Sequence, residues 1–283
     1  MYTIGIVGQG FVGKSMKSGL EKYYKTNTFD LNGDCSCGSL DELVEKSNII
    51  FVCVPTPMKK DGSCDTSVVE SVVRDINELV VYRNVSGRIV VIKSTIPPGT
   101  TDRLNRTSVV NIQVVFNPEF LTEANYIDDF KNQNRIILGG LRPATTKVKQ
   151  FYSKIFPKTT IVKTGSTHAE MVKYVTNTFL ATKVSFANEM KMICDKLDID
   201  YDKVVEYATY DDRLGKSHWD VPGPDGKLGF GGSCFPKDLN ALLDLCREKG
   251  VPAKTLFGAW MTNLNVRPEE DWKELKGRAV VEE

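Results

Sequence analysis

Apolar and polar positions divide the chain into two textures. In the first half, short β-branched runs at 4–7, 48–54, 88–92, 110–116 and 135–138 are bounded by Gly, Pro or Asn, the pattern of buried strands. Segments of helical periodicity, such as 39–46 and 67–79, lie between several of them. This alternation predicts an α/β fold with a mostly parallel sheet and right-handed crossovers.

Near residue 165 the pattern changes. Thr167-His168-Ala169-Glu170 has capping-box spacing, with Thr167 as N-cap and Glu170 at N3. From there to 197 no Pro or Gly interrupts the apolar repeat, which predicts a helix of roughly 30 residues, about 45 Å long. That length suggests packing against a second copy of the chain, and a homodimer through the long helix is expected. Further helical runs follow at 201–207, 237–249 and 253–263, with a Gly/Pro/Asp-rich loop at 211–232 suited to ligand contacts. The stretch 275–281 reads as one strand at most. The expected organisation is therefore an α/β domain over 1–164 and an all-helical domain, built on one long central helix, over 165–283.

Charge and composition narrow the function classes. Lys and Arg number 37 against 36 Asp and Glu, so no global field favours nucleic acid or an acidic membrane. No apolar run approaches the roughly 20 residues that span a bilayer. The N-terminus enters a strand at once without a signal-like segment, and a soluble cytoplasmic protein is expected. Seven cysteines (35, 37, 53, 64, 194, 234 and 246) form no paired CxxC knuckles, and His168 and His218 are the two histidines. Reduced thiols and no metal centre are expected.

Two segments carry chemistry. Gly8-Gln9-Gly10-Phe11-Val12-Gly13 follows the first strand and opens a helical stretch. Gly8 permits the tight turn, Gly10 admits a pyrophosphate, and Gly13 allows close helix–strand packing. Asp30 ends the next strand-like run, 26–29, where a carboxylate takes ribose hydroxyls; no arginine follows to meet a 2′-phosphate, so NAD is expected over NADP. The fold class is then a Rossmann-type doubly wound sheet; a glycine turn in some other α/β protein is the alternative. In the second half, Lys173 and Asn177 share one helix face, where an ammonium and an amide can polarise a hydroxyl or oxyanion or simply be solvated. Within 229–238 (GFGGSCFPKD), Pro236 suits a first helical turn. Cys234 then sits at a helix N-terminus, where the dipole and Lys237 favour its thiolate. Asp238 lies one turn on. A buried structural cysteine is the alternative.

GQGFVG at 8–13, VPTP at 54–57, STIPPGT at 94–100, NPEFLTEA at 117–124, EMVKYVTN at 170–177, DDRLG at 211–215 and GFGGSCFPKD at 229–238 occur in this order. In them the chain resembles the UDP-glucose/GDP-mannose dehydrogenase family. The resemblance implies NAD-dependent oxidation of a nucleotide sugar, UDP-glucose first, at its C6 primary alcohol. Cys234 is then the nucleophile of a thiohemiacetal and thioester, with two NADH per sugar. Lys173, Asn177 and Asp238 support oxidation and the oxyanion, while Glu119 and Thr95 position a water. Gly8, Gly10, Phe11, Val12, Gly13 and Asp30 hold NAD, with Thr56, Pro57, Thr95, Glu123 and Lys237 toward the nicotinamide. Glu119, Phe120, Leu121, Lys173, Asn177, Arg213, Phe230 and Gly231 contact substrate, Arg213 across a dimer. Two departures stand beside this. The segment after Asp30 is short, and the family's third, nucleotide-binding domain is not expected within the 283 residues. The uridine half is then met by another chain or by 211–232, or the substrate differs. A β-hydroxyacid dehydrogenase using Lys173 and Asn177, with one NADH per turnover, and a non-catalytic remnant that binds nucleotide are the competing readings.

Overall fold

The computed structural model describes residues 2–33, 35–107 and 111–282, with Thr107 described in its backbone alone. The chain forms two compact units. The first comprises Met1–Thr56 and Thr66–Lys173, the second Pro57–Asp65 and Tyr174–Glu283. The boundary expected at 164/165 marks where sheet gives way to helix. By compactness, the first turns of the long helix stay with the sheet, and 57–65 joins the helical part.

The first unit is built on seven strands: β1 (Thr3–Val7), β2 (Lys25–Phe29), β3 (Ile49–Val52), β4 (Arg88–Ile92), β5 (Ile112–Phe116), β6 (Arg135–Gly139) and β7 (Thr160–Thr164). They run in the order β2-β1-β3-β4-β5-β6-β7. Neighbours are parallel except β5 and β6, which meet antiparallel at Phe116 and Gly139. The expected start of β5 at Val110 lies outside the described residues. Helices α1 (Phe11–Leu20), α2 (Leu40–Lys46), α3 (Ser67–Tyr82), α4 (Thr100–Thr107), α5 (Tyr126–Lys131) and α6 (Arg142–Ile155) connect them.

Strand side chains alternate between faces, and here both faces are covered. Ile50, Val52, Val90, Ile92 and Val114 pack with Leu43 of α2 and Val69, Val73 and Ile76 of α3. Ile4, Ile6, Ile49, Phe51, Ile89 and Val91 pack with Met16 and Leu20 of α1 and Phe151 and Tyr152 of α6. Burial on both faces is why these strands read as unbroken apolar runs. β2 is an edge strand of sequence KTNTF. Its inner polar groups are satisfied by short side chains: the Thr28 amide donates to Ser36 Oγ (2.8 Å), and the Asn27 amide group donates to Ser47 Oγ (3.1 Å). β7, the other edge, is largely exposed and carries little apolar signal.

The long helix α7 spans Ser166–Lys196, 31 residues. It starts one residue before the expected N-cap, so Thr167 lies within its first turn, and the capping box does not form. Glu170 instead accepts from the amides of Gly99 (2.6 Å) and Thr101 (2.8 Å) at the start of α4. Thr167 Oγ1 donates to Asp102 (3.1 Å). A buried carboxylate finds more orphan donors at a neighbouring helix start than at its own.

The second unit contains the rest of α7, then α8 (Tyr201–Ala208), α9 (Cys234–Glu248) and α10 (Lys254–Val266). The 211–232 loop holds a short 3₁₀ turn, Asp212–Leu214. The 275–281 stretch forms isolated bridges in place of the expected strand: the Met58 amide donates to the Ala279 carbonyl (2.8 Å) and that of Val281 to Met58 (3.0 Å). This pairing, with the contacts of Asp61 and Cys64 to α9, ties 57–65 to the helical unit.

Candidate active site

The glycine turn lies where β1 hands over to α1. Gly8 adopts φ +91°, and a Cβ there would sit 2.5 Å from the Cys53 carbonyl oxygen. A Cβ on Gly13 would lie 1.9 Å from the Gly8 carbonyl oxygen, so helix and turn touch backbone to backbone. Gly10, the α1 N-cap, has nothing within 4 Å of a Cβ position. Sterics of the fold explain the first and third glycines, whereas the second faces open space beside free helix-start amides. Asp30 Oδ2 accepts the Gln9 amide (2.5 Å) and Oδ1 that of Asn32 (2.9 Å). Its carboxylate is therefore fixed at the mouth of the turn, and a dinucleotide fits this donor and acceptor set. Phe11 makes an edge contact with Tyr126 (6.3 Å), while Val12 is half-buried. Thr56 and Thr95 are buried, and Glu123 is exposed.

A second cluster of the first unit surrounds residues 117–121. Lys173 Nζ donates to both the Glu119 carbonyl and Oε1 (2.8 Å each), and Glu119 Oε2 accepts the Leu121 amide (2.6 Å). Both partners are under 10 % exposed, at 3 and 8 %. Burial alone pushes the Glu119 carboxyl up. The charge and hydrogen bond of Lys173, the Leu121 amide and Lys93 together bring it below the usual carboxylate range. Phe120 lies under the Lys173 ammonium at 5.7 Å and under the Arg135 guanidinium at 4.2 Å.

In the second unit Cys234 is the first residue of α9, after Ser233 as N-cap, and is partly exposed. Ser233 Oγ lies 3.8 Å from its sulfur. Lys237, one turn on, contacts Asp238 at 2.5 Å. Burial would push the Lys237 ammonium down, but Asp238 first and then the Cys234 and Cys64 sulfurs carry it above its ordinary value. That mutual attraction, with the helix N-terminus, is a thiolate-favouring setting. Asp238, 1 % exposed, also accepts from Asn177 Nδ2 (2.6 Å). Asn177, Lys237 and Asp238 are thus one chain of contacts next to the thiol. Pro57 and Phe230 are buried. Arg213 is not drawn into this group: its side chain is 88 % exposed and pairs with Asp211.

Several positioning groups carried no sequence signal. Asn263 accepts from the Phe230 amide (2.7 Å) and donates to its carbonyl (3.0 Å), while Asn188 accepts from the Gly229 amide (3.1 Å). A Cβ on Gly229 would strike Asn263, and one on Gly231 would strike Arg267. The glycines before Cys234 therefore make room for these side chains. Only a helix-by-helix pairing of buried amides would have found them. Among the described residues no group of three or more His, Cys, Asp or Glu is placed to hold a metal, and no helix is long and apolar enough to cross a membrane.

A doubly wound sheet with a glycine turn of this geometry, followed by helices that carry a charge-flanked thiol, defines a protein of the dinucleotide-binding class. The chain belongs to the UDP-glucose/GDP-mannose dehydrogenase family: residues 16–159 match its NAD binding domain and 167–265 its central domain. UDP-glucose 6-dehydrogenase TuaD of Bacillus subtilis (strain 168) is 30 % identical over 93 % of this chain and 63 % of its own length. The chain spans about half to two thirds of the curated relatives it matches. The UDP-glucose dehydrogenase structure of the hyperthermophilic archaeon Pyrobaculum islandicum superposes with a TM-score of 0.82 at 27 % identity, over 94 % of this chain and 68 % of that one. Mycobacterium tuberculosis 3-hydroxyisobutyrate dehydrogenase shares the fold alone, at 16 % identity and a TM-score of 0.73 over 95 % of each chain.

Proposed function

We propose that the chain oxidises the C6 primary alcohol of a UDP-sugar, UDP-glucose first, to the carboxylate, with NAD⁺ as oxidant and Cys234 as covalent nucleophile. The observation that carries the reading is the placement of Cys234 at the α9 N-terminus beside Lys237, Asp238 and Asn177. The glycine turn and Asp30 would hold NAD⁺, with Thr56, Pro57, Thr95, Glu123 and Lys237 as candidate contacts to its nicotinamide end, and the bound cofactor would supply the hydride acceptor for both oxidations. Lys173 and Asn177 polarise the hydroxyl and steady the oxyanion. The Cys234 thiolate adds to the aldehyde carbon, which keeps the aldehyde from escaping and converts it to a species that can lose a second hydride. Glu119 and Thr95 orient the water that cleaves the resulting thioester, and the thiolate leaves. Overall, alcohol, water and two NAD⁺ give carboxylate, two NADH and three protons. Phe120, Leu121, Phe230, Gly231 and Arg213 contact the sugar nucleotide.

A homodimer through α7 belongs to the same reading. Phe179, Phe186 and Ile193, seven apart, are 66, 48 and 50 % exposed, and Val175 and Leu197 extend the stripe. A self-complementary apolar stripe on a helix is the surface a second copy of that helix covers.

The test is absorbance of NADH with limiting UDP-glucose. Two NADH per sugar are expected. A ratio of one points to a single-step alcohol oxidation, and no turnover across a panel of sugar nucleotides overturns the reading. Cys234→Ala abolishes carboxylate formation; normal turnover by that variant removes the nucleophile assignment.

A further inference from the structure

Lys93 immediately follows β4, at the end of a strand whose last four residues are fully buried. It is itself only 5 % exposed. Its ammonium donates to Asn117 Oδ1 (3.0 Å) and to the Pro118 carbonyl (3.3 Å). Tyr152 donates to the same Asn117 oxygen (2.7 Å), and Asn117 Nδ2 donates to the Ile137 carbonyl (2.9 Å). Lys173 takes the next carbonyl along, that of Glu119, together with its carboxylate. Two buried ammoniums thus hold consecutive carbonyls of one irregular segment, one from the residue after β4 and one from α7.

Among the described residues, the charges around this segment do not balance. Cys53, after β3, is pushed up to about 12 by burial, and Tyr152 on α6 well above its ordinary value, so both are neutral at working pH. Arg135 on β6 adds a further cation over Phe120. Glu119 is the sole anion among these groups, facing Lys173 and Lys93. Burial, reinforced by the neighbouring Lys173 charge, takes Lys93 down to about 8 against the pull of the Glu119 carboxylate. An unneutralised buried ammonium is costly, and replacing it with an apolar side chain would relieve that cost unless the charge has a use.

We propose that Lys93 is a positioning residue for Glu119, fixing the Asn117–Pro118 segment and supplying a second positive charge that keeps the Glu119 carboxylate ionised in its buried site. This rests on the reading that ionised Glu119 orients the water of thioester hydrolysis. Lys93 touches no reacting atom and acts through Glu119 alone. The sign follows: removing a nearby cation raises the proton affinity of the carboxylate, so the acidic limb of the hydrolysis rate moves to higher pH.

The experiment compares the full chain with Lys93→Met, Lys93→Arg and Tyr152→Phe. Tyr152→Phe removes the other donor to Asn117 without changing charge. The first readout needs no turnover: carbon-13 NMR follows the Glu119 carboxyl against pH, with Glu119→Gln to assign the signal. Lys93→Met is expected to raise its midpoint by roughly one pH unit, Lys93→Arg to restore it, and Tyr152→Phe to leave it in place. The second readout is a pre-steady-state burst of NADH in Lys93→Met, followed by a slowed steady state whose acidic limb has moved with the NMR midpoint. An unmoved midpoint overturns the proposal even if activity falls, because a merely structural role lowers kcat without moving the titration. A moved midpoint with no effect on the hydrolytic phase overturns the role of Glu119 and not the coupling. Lys93→Gln, which keeps a donor for Pro118, takes the place of Lys93→Met if that variant does not fold.

Discussion

Replacing Lys173 with Met removes the cation that Glu119 contacts at 2.8 Å and leaves a carboxyl that is 8 % exposed with the Leu121 amide as its direct donor. Breaking a buried pair from one side typically costs about 3–5 kcal/mol. Protonation caps that cost, because the carboxyl can neutralise itself. At pH 7, protonating an ordinary Glu takes about 1.36 × (7 − 4.3), or roughly 3.7 kcal/mol, and at pH 5 only about 1 kcal/mol. In the wild-type chain the Glu119 carboxyl is held low. Its contribution is therefore present above the unfolded value and lost as pH falls through the folded one. In Lys173→Met burial dominates and the folded value lies above the unfolded one, so stability rises as pH falls. Both slopes narrow the gap between the proteins toward acid. Expected, then, is a loss of roughly 3–4 kcal/mol at pH 7 that shrinks to about 1 kcal/mol at pH 5. Urea unfolding followed by far-UV ellipticity measures it. Trp219, Trp260 and Trp272 all lie in the second unit, so their fluorescence separates that unit's transition from the first. A gap under about 1 kcal/mol at pH 7, or one constant between the two pH values, refutes the buried pair.

The glycines of the cofactor turn separate binding from folding. Gly10→Ala enters open space and is expected to leave the melting temperature unchanged while weakening NAD⁺ binding at least tenfold by calorimetry, or about 1.4 kcal/mol. Gly13→Ala collides with the Gly8 carbonyl and is expected to lower the melting temperature as well; equal melting temperatures for the two variants refute this division. Phe179→Glu places a charge in the exposed α7 stripe and is expected to shift the light-scattering mass from dimer to monomer. An unchanged mass removes α7 as the interface.

Much of the fold was legible because burial on both sheet faces leaves continuous apolar runs at β1, β3 and β4, and because α7 is free of Gly and Pro. The Gly8–Gly13 turn and the 229–238 segment were legible for a different reason: backbone geometry and charge around a thiol restrict residue types locally. What escaped was set by distant partners. β7 is an exposed edge whose alternation is weak. Glu170 has the right spacing to cap its own helix, yet its carboxylate serves α4, a choice made by packing. Lys93 looks like an ordinary strand-end lysine until Asn117, Pro118 and Tyr152 close around it. Asn263 and Arg267 are recognisable as the reason for Gly229 and Gly231 only in three dimensions. Arg213, singled out for a substrate contact, stands in solvent beside Asp211.

Segment 57–65, bridged from Met58 to Val280, belongs to the helical unit, which is therefore discontinuous along the polypeptide. A nucleotide-fold fragment cannot be liberated by one scission after Lys173, because such a cut strands 57–65 without the backbone partners contributed by Ala279 and Val281. Any excision of the sheet unit must also bridge Thr56 directly to Thr66. Conversely, trimming the last few residues before Glu283 would take backbone partners from a segment that adjoins Thr56 in the covalent chain, more than 200 positions earlier.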